Sequence, residues 1–178
     1  MTDRVKVHLL PLPDGTAMSR DDASARHLVA SAARESDGSQ LCTAVSTGAW
    51  LPLLAAELCR RWSIEGLGFL VHDLRILSPS ESQAAAQAVD SLLTRLEAGD
   101  RPRDTRGLGD QWHFIVGPAD LTRVIAETAP TSEVDEAEGE ETAFVQFVVG
   151  VQLAAHEASE AGHDLLFWCT TEEDHGAA

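Results

Sequence analysis

Tyrosine is absent from this 178-residue chain, and lysine occurs once, as Lys6. Without tyrosine no tyrosine-rich recognition surface can form. The four tryptophans (Trp50, Trp62, Trp112, Trp168) all lie beside aliphatic residues and read mostly as core. Lys6 sits outside any glycine loop, and there is no G-x-G-x-x-G, which argues against nucleotide binding through the familiar phosphate loops. No G-x-S-x-G sets a serine on a strained elbow. The three cysteines, Cys42, Cys59 and Cys169, are odd in number and lack C-x-x-C spacing, which argues against a disulfide framework and a thiolate zinc site. Each lies in an apolar stretch and reads as a buried thiol. No apolar run reaches the ~20 residues needed to cross a bilayer. The most apolar stretch, 144–155, is interrupted by Gln146 and Gln152 and closed by His156. The opening residues lack the basic head and apolar middle of a signal peptide, so the expected compartment is the cytoplasm.

Basic residues are also scarce: 13 against 29 acidic ones, a formal net charge of −16. Such a chain repels nucleic acid and anionic membranes and favours cationic partners. A hydrophobic fraction of 44% is close to that of ordinary globular proteins, so the acidity does not imply disorder.

The pattern of apolar residues predicts one domain over residues 1–171, with an internal linker at 100–111, an acidic loop at 131–141 and a polar tail at 172–178. Val5, Val7 and Leu9 predict a half-buried strand ending at Pro11. Ser19 to Asp22 has the form of a capping box for a helix carried by Ala25, Leu28, Val29 and Ala32. Leu41–Val45 reads as a second strand. Pro52, Leu53, Leu54, Leu58 and Trp62 read as a short buried helix, and Leu67–Leu77 as a third strand interrupted by His72 and Asp73. Ser78-Pro79-Ser80-Glu81 is the best local signal: a capping serine, proline at the first helical position, and a glutamate that returns to the cap. That helix is expected to stop at Gly99. The linker arginines Arg101, Arg103 and Arg106 are candidates to contact the acidic surface of the same chain. Trp112–Val116 reads as a strand, and Gly117-Pro118 opens a further helix. Thr142–Ala161 reads as a central helix, apolar on nearly every face, followed by Gly162 and a buried strand at Leu165–Cys169. Strands alternating with helices indicate an α/β or α+β fold, with helices packed on a small mixed sheet.

One constellation resembles a site. On a helix His156 and Glu160 are four residues apart and share a face, and His163 lies seven beyond His156. Imidazole nitrogens and a carboxylate suit zinc, iron or manganese, and three ligands leave a position open for water. Glutamate stands where a zincin helix has its second histidine, and Gly162 interrupts the shared face. His72-Asp73 and Asp110–His113 place a histidine near a carboxylate, half of a general-base arrangement without a nucleophile. Asp135–Glu138 lacks the glycine and ligand spacing of a calcium loop.

The stretch Leu74–Glu81 with its alanine-rich helix, and the unit of apolar helix, Ala161-Gly162 and apolar strand Leu165–Cys169, are similar to segments of the YfbM-like bacterial family of unknown function. The resemblance covers about a third of the chain, implies a compact bacterial α/β domain, and carries no catalytic residues. The functional expectation is a non-enzymatic module that binds a protein with a basic surface, in one version an inhibitor or immunity protein, without a cofactor. The alternative is a metal-assisted hydrolase holding a divalent ion on His156, Glu160 and His163. A homodimer burying part of the 144–153 surface is compatible with either.

Overall fold

The structure, a computed structural model, describes residues 4–16, 20–35, 43–106, 108 and 140–171. The elements are strand β1 (Arg4–Leu12), helix α1 (Asp22–Glu35), β2 (Thr43–Gly48), α2 (Trp50–Arg61), a 3-10 turn (Gly68–Val71), β3 (Leu74–Leu77), α3 (Pro79–Glu97), α4 (Glu140–Ala161) and β4 (Asp164–Thr171). The expected strand at 112–116, the helix after Gly117 and the 172–178 tail lie outside the described residues, as does most of the 131–141 loop. That loop's last two glutamates, Glu140 and Glu141, open α4.

The strands form one sheet in the order β2-β1-β4-β3. Its α+β character matches the sequence pattern, and every ladder among the described residues is antiparallel. Alternation of side chains specifies which face a residue occupies, not the direction of the neighbouring strand. The first and last strands pair at the centre, from Val5 opposite Thr171 to Leu12 opposite Asp164. Among the described residues the pairing of β1 with β2 ends at Leu9, before Pro11, whose missing amide hydrogen interrupts no described bond on that side.

β1 is buried on both faces rather than one. Val5, Val7 and Leu9 join Leu165 and Phe167 in the larger core, beneath Leu51, Leu54 and Leu58 of α2, Leu92 and Leu96 of α3, and Phe144, Phe147 and Val148 of α4. The opposite face carries Leu10, Leu12, Leu166 and Trp168, covered by α1 through Ala25 with the half-buried Leu28, Val29 and Ala32. Helix α4 is central, as its apolar composition implies, and packs most extensively on α3. The two are joined by a hydrogen bond from Gln152 Nε2 to Asp90 Oδ1.

Several local signals are realised and two are displaced. The Ser78 capping box forms reciprocally, and Pro79 occupies the first turn of α3. Helix α1 is capped by Asp21, whose Oδ1 accepts from the Ser24 amide at 2.8 Å, so the cap falls two residues after Ser19. The expected strand over Leu67–Leu77 is strand only from Leu74. Gly66 takes φ +128° against α3, where a Cβ would stand 2.5 Å from the Ala84 carbonyl oxygen, and the chain then buries Phe69 and Leu70 through the 3-10 turn. The linker is also held from α2. Arg61, at the end of α2, donates to the carbonyl oxygens of Asp104 and Arg106, while Arg106 pairs locally with Asp104.

Candidate binding clefts beside the β3 edge

Two clefts flank β3, one on each face of the sheet. The first, of about 310 Å³, opens on the α1 face. Its floor is Leu12 and Ile76, residues that share this face by alternation. One wall is the turn Pro13–Thr16, closed by the Thr16 amide and hydroxyl donating to the Pro13 carbonyl oxygen at 3.1 and 2.7 Å. Gly15 supplies the positive φ, +83°, that this turn requires. Asp14 from the turn and Asp164, which opens β4 opposite Leu12, bring two exposed carboxylates to the cleft, with Arg20 the one cation among its lining residues. Asp21 and Asp22 follow Arg20 directly and are exposed.

The second cleft, about 200 Å³, lies on the other face, between β3, the 3-10 turn and the start of α3. Phe69 and Leu77 give it an apolar floor, and His72, Arg75 and Glu81 form its rim. Glu81 accepts the Ser78 amide at 2.8 Å. That backbone bond, more than any other contact, holds its carboxyl below the ordinary glutamate range, with smaller help from Arg75 and Arg20.

The histidine–glutamate constellation is not gathered into a three-ligand site. His156 Nε2 stands 3.4 Å from Glu160 Oε1, as an i,i+4 pair on the exposed side of α4. Gly162, at φ +68°, ends the helix, with the His163 amide returning to the Ala158 carbonyl, so His163 leaves the face that His156 and Glu160 share. No group of three or more His, Cys, Asp or Glu side chains that could hold a metal ion occurs among the described residues. His72 lines the second cleft, and His156 lines neither. Asp110 and His113 lie outside the described residues, as does Cys42. Burial pushes the Cys59 thiol up to about 12, and burial with Asp73 nearby pushes Cys169 to about 11, so neither is a thiolate nucleophile near neutral pH.

Two features gave no sequence signal. Asp14 and Asp164 are 150 positions apart and meet only because the first and last strands pair. His8 is buried, 8% exposed, and stacks on Trp168 with ring centroids 5.1 Å apart. Its Nδ1 has no hydrogen-bond partner among the described residues. Trp168 in turn donates Nε1–H to Asp22 Oδ1 at 3.2 Å, which ties β4 to the start of α1.

The chain matches no family model, no curated protein and no solved structure. Its function is therefore argued from the geometry.

Proposed function

We propose that this chain is a non-enzymatic module that docks a protein with a basic surface, and that its specific form is an inhibitor or immunity protein covering a cationic cleft. The observation that carries this reading is the first cleft, an open concavity with Asp14 and Asp164 on its walls in a chain of net charge −16. At about 310 Å³ it is at the lower limit for a small-molecule pocket, roughly 300–1,000 Å³, and suits one inserted side chain of a partner better than a whole metabolite. Carboxylates on an open surface act mainly on encounter and orientation, which is the contribution that charge makes to a protein interface.

The test is retention of a partner on the immobilised chain, followed by titration of that protein at about 0.05 and 0.5 M salt. A basic partner that binds one to one and loses at least roughly tenfold in affinity at the higher salt is the expected result. In the inhibitor form the partner's own activity is lost in the complex. A retained partner with an acidic surface, or an affinity indifferent to salt, contradicts the reading.

A further inference from the structure

The segment that follows α3 is fastened to the ends of two helices. Gly99 turns the chain at φ +71°, and the Asp100 amide donates to the Arg95 carbonyl oxygen at 3.0 Å. Arg95 Nη1 stands 3.3 Å from Asp100 Oδ2, and its guanidinium carbon lies 5.9 Å from the centre of the Trp62 ring. Further along, Pro102 is buried and Leu108 enters the larger core. Between these two apolar anchors residues 103–106 are exposed, and there Arg61 of α2 reaches the main chain. The Arg61 side chain is itself only 13% exposed. Its Nε donates to Glu57 Oε1 at 2.7 Å, which orients the guanidinium. Nη1 then donates to the Asp104 carbonyl oxygen and Nη2 to that of Arg106, the latter at 2.7 Å. The planar fork of a guanidinium serves one carboxylate and two carbonyls in a fixed geometry, whereas a lysine ammonium is a point charge without that fork.

We infer that residues 100–106 form a strap that opens and closes as a local unit, with Arg61 as the latch that keeps it closed against α2. The latch bonds run to main-chain oxygens, so they fix the path of the strap whatever side chains it carries. Glu57 accepts from both Arg60 and Arg61, and these bonds, Arg60 first, lower its pKa to about 2. The latch therefore stays charged through the neutral and mildly acidic range. The strap carries Arg103 and Arg106, both exposed, and each is a site for a protease that cuts after arginine. Such a protease needs an extended stretch of free backbone, and a segment whose carbonyls already accept from Arg61 is not free. Closed, the strap withholds these two bonds; open, it presents them. The inference uses no property of a partner and stands apart from the basic-surface reading.

The test compares limited trypsin digestion of the folded full chain with that of Arg61→Ala, Arg61→Lys and Arg60→Ala, each cut being located by mass spectrometry. Loss of the latch in Arg61→Ala is expected to speed cleavage after Arg103 and Arg106 at least roughly tenfold, because cleavage follows the population of the open form. Cleavage within the sheet, after Lys6 in β1 and Arg75 in β3, is expected to stay at the wild-type rate. Arg61→Lys keeps the charge without the fork and should fall between Arg61→Ala and the wild type. Arg60→Ala removes the other arginine on Glu57 and leaves both carbonyl bonds in place, so its strap should be cut at the wild-type rate. Strap cleavage of Arg61→Ala at the wild-type rate overturns the latch and assigns the closure to Pro102 and Leu108. An equal acceleration at Lys6, Arg75 and the strap overturns it as well, since Arg61 would then support the whole fold. Where Arg61→Ala does not fold, Arg61→Lys decides by the same outcomes.

Discussion

At the scale of single residues the most consequential side chain is His8. Burial, with a smaller contribution from Lys6, lowers its pKa from 6.5 to about 4. The folded chain therefore keeps His8 neutral over a range in which the unfolded chain protonates it. The associated stability is complete above about pH 6.5 and is lost as the pH falls towards about 4, to a total of roughly 3 kcal/mol. Denaturant melts from pH 7 to 4 should show this loss, and His8→Phe should flatten it; an unchanged pH profile in that variant would assign the acid sensitivity to other groups. Ser63 is a second case. It sits at φ 55°, just past α2, where the Ile64 amide reaches the Cys59 carbonyl at 2.8 Å and the Ser63 amide reaches that of Arg60, the pattern that α3 and α4 complete with Gly99 and Gly162. Left-handed backbone costs a residue with a Cβ about 1–2 kcal/mol. Ser63→Gly is accordingly expected to raise stability by about 1 kcal/mol, read as a higher denaturation midpoint with an unchanged slope. A lower midpoint would mean that the serine side chain contributes more than its backbone conformation costs.

At the scale of elements, the helices are held unequally. Helix α3 has a reciprocal cap and a run of buried residues from Ser82 to Leu96, whereas among the described side chains of α1 Ala25 alone is fully buried, beside half-buried Leu28, Val29 and Ala32. Amide exchange should reflect this: α1 opens at a lower free energy than α3 and α4 and exchanges first. Protection of α1 equal to that of α3 would show that the small core and the Trp168–Asp22 bond anchor it more firmly than its burial implies. The same contrast accounts for what the sequence made legible. Helix α3 announces itself through Ser78, Pro79, Glu81 and Gly99, because caps and stops are local chemistry, and α4 through its apolar surface. The Leu67–Leu77 segment misleads because an apolar run has the same composition whether its residues are buried by alternation or by a 3-10 turn. What separates the two is the approach of Gly66 to the α3 backbone, a tertiary contact. The capped helix and the helix–glycine–strand unit behind the YfbM-like resemblance are both present, and both are local structures that recur in unrelated folds.

At the scale of the whole molecule, charge and topology meet. Of the 29 acidic residues 17 fall in the described residues, together with 12 of the 13 basic ones, so the described part carries −5 and the remaining sequence −11. The net charge thus establishes a general attraction for cations, but where one docks depends on which carboxylates the fold places together. Spacing along the sequence could flag His156, Glu160 and His163 because a helix makes near neighbours of residues four apart. It could not flag Asp14 and Asp164, whose proximity follows from the central pairing of β1 with β4. Nor could it show that β3 has a cleft on either side, since that depends on the helices covering each face. The central claim is that this acidic surface captures a basic segment by electrostatic attraction. The most direct test is the association rate of a short arginine-rich peptide with the chain, measured by stopped flow from about 0.02 to 0.5 M salt, a range over which the screening length shrinks severalfold. A rate that falls steeply with added salt while dissociation changes little is predicted; an association rate independent of salt would contradict the account.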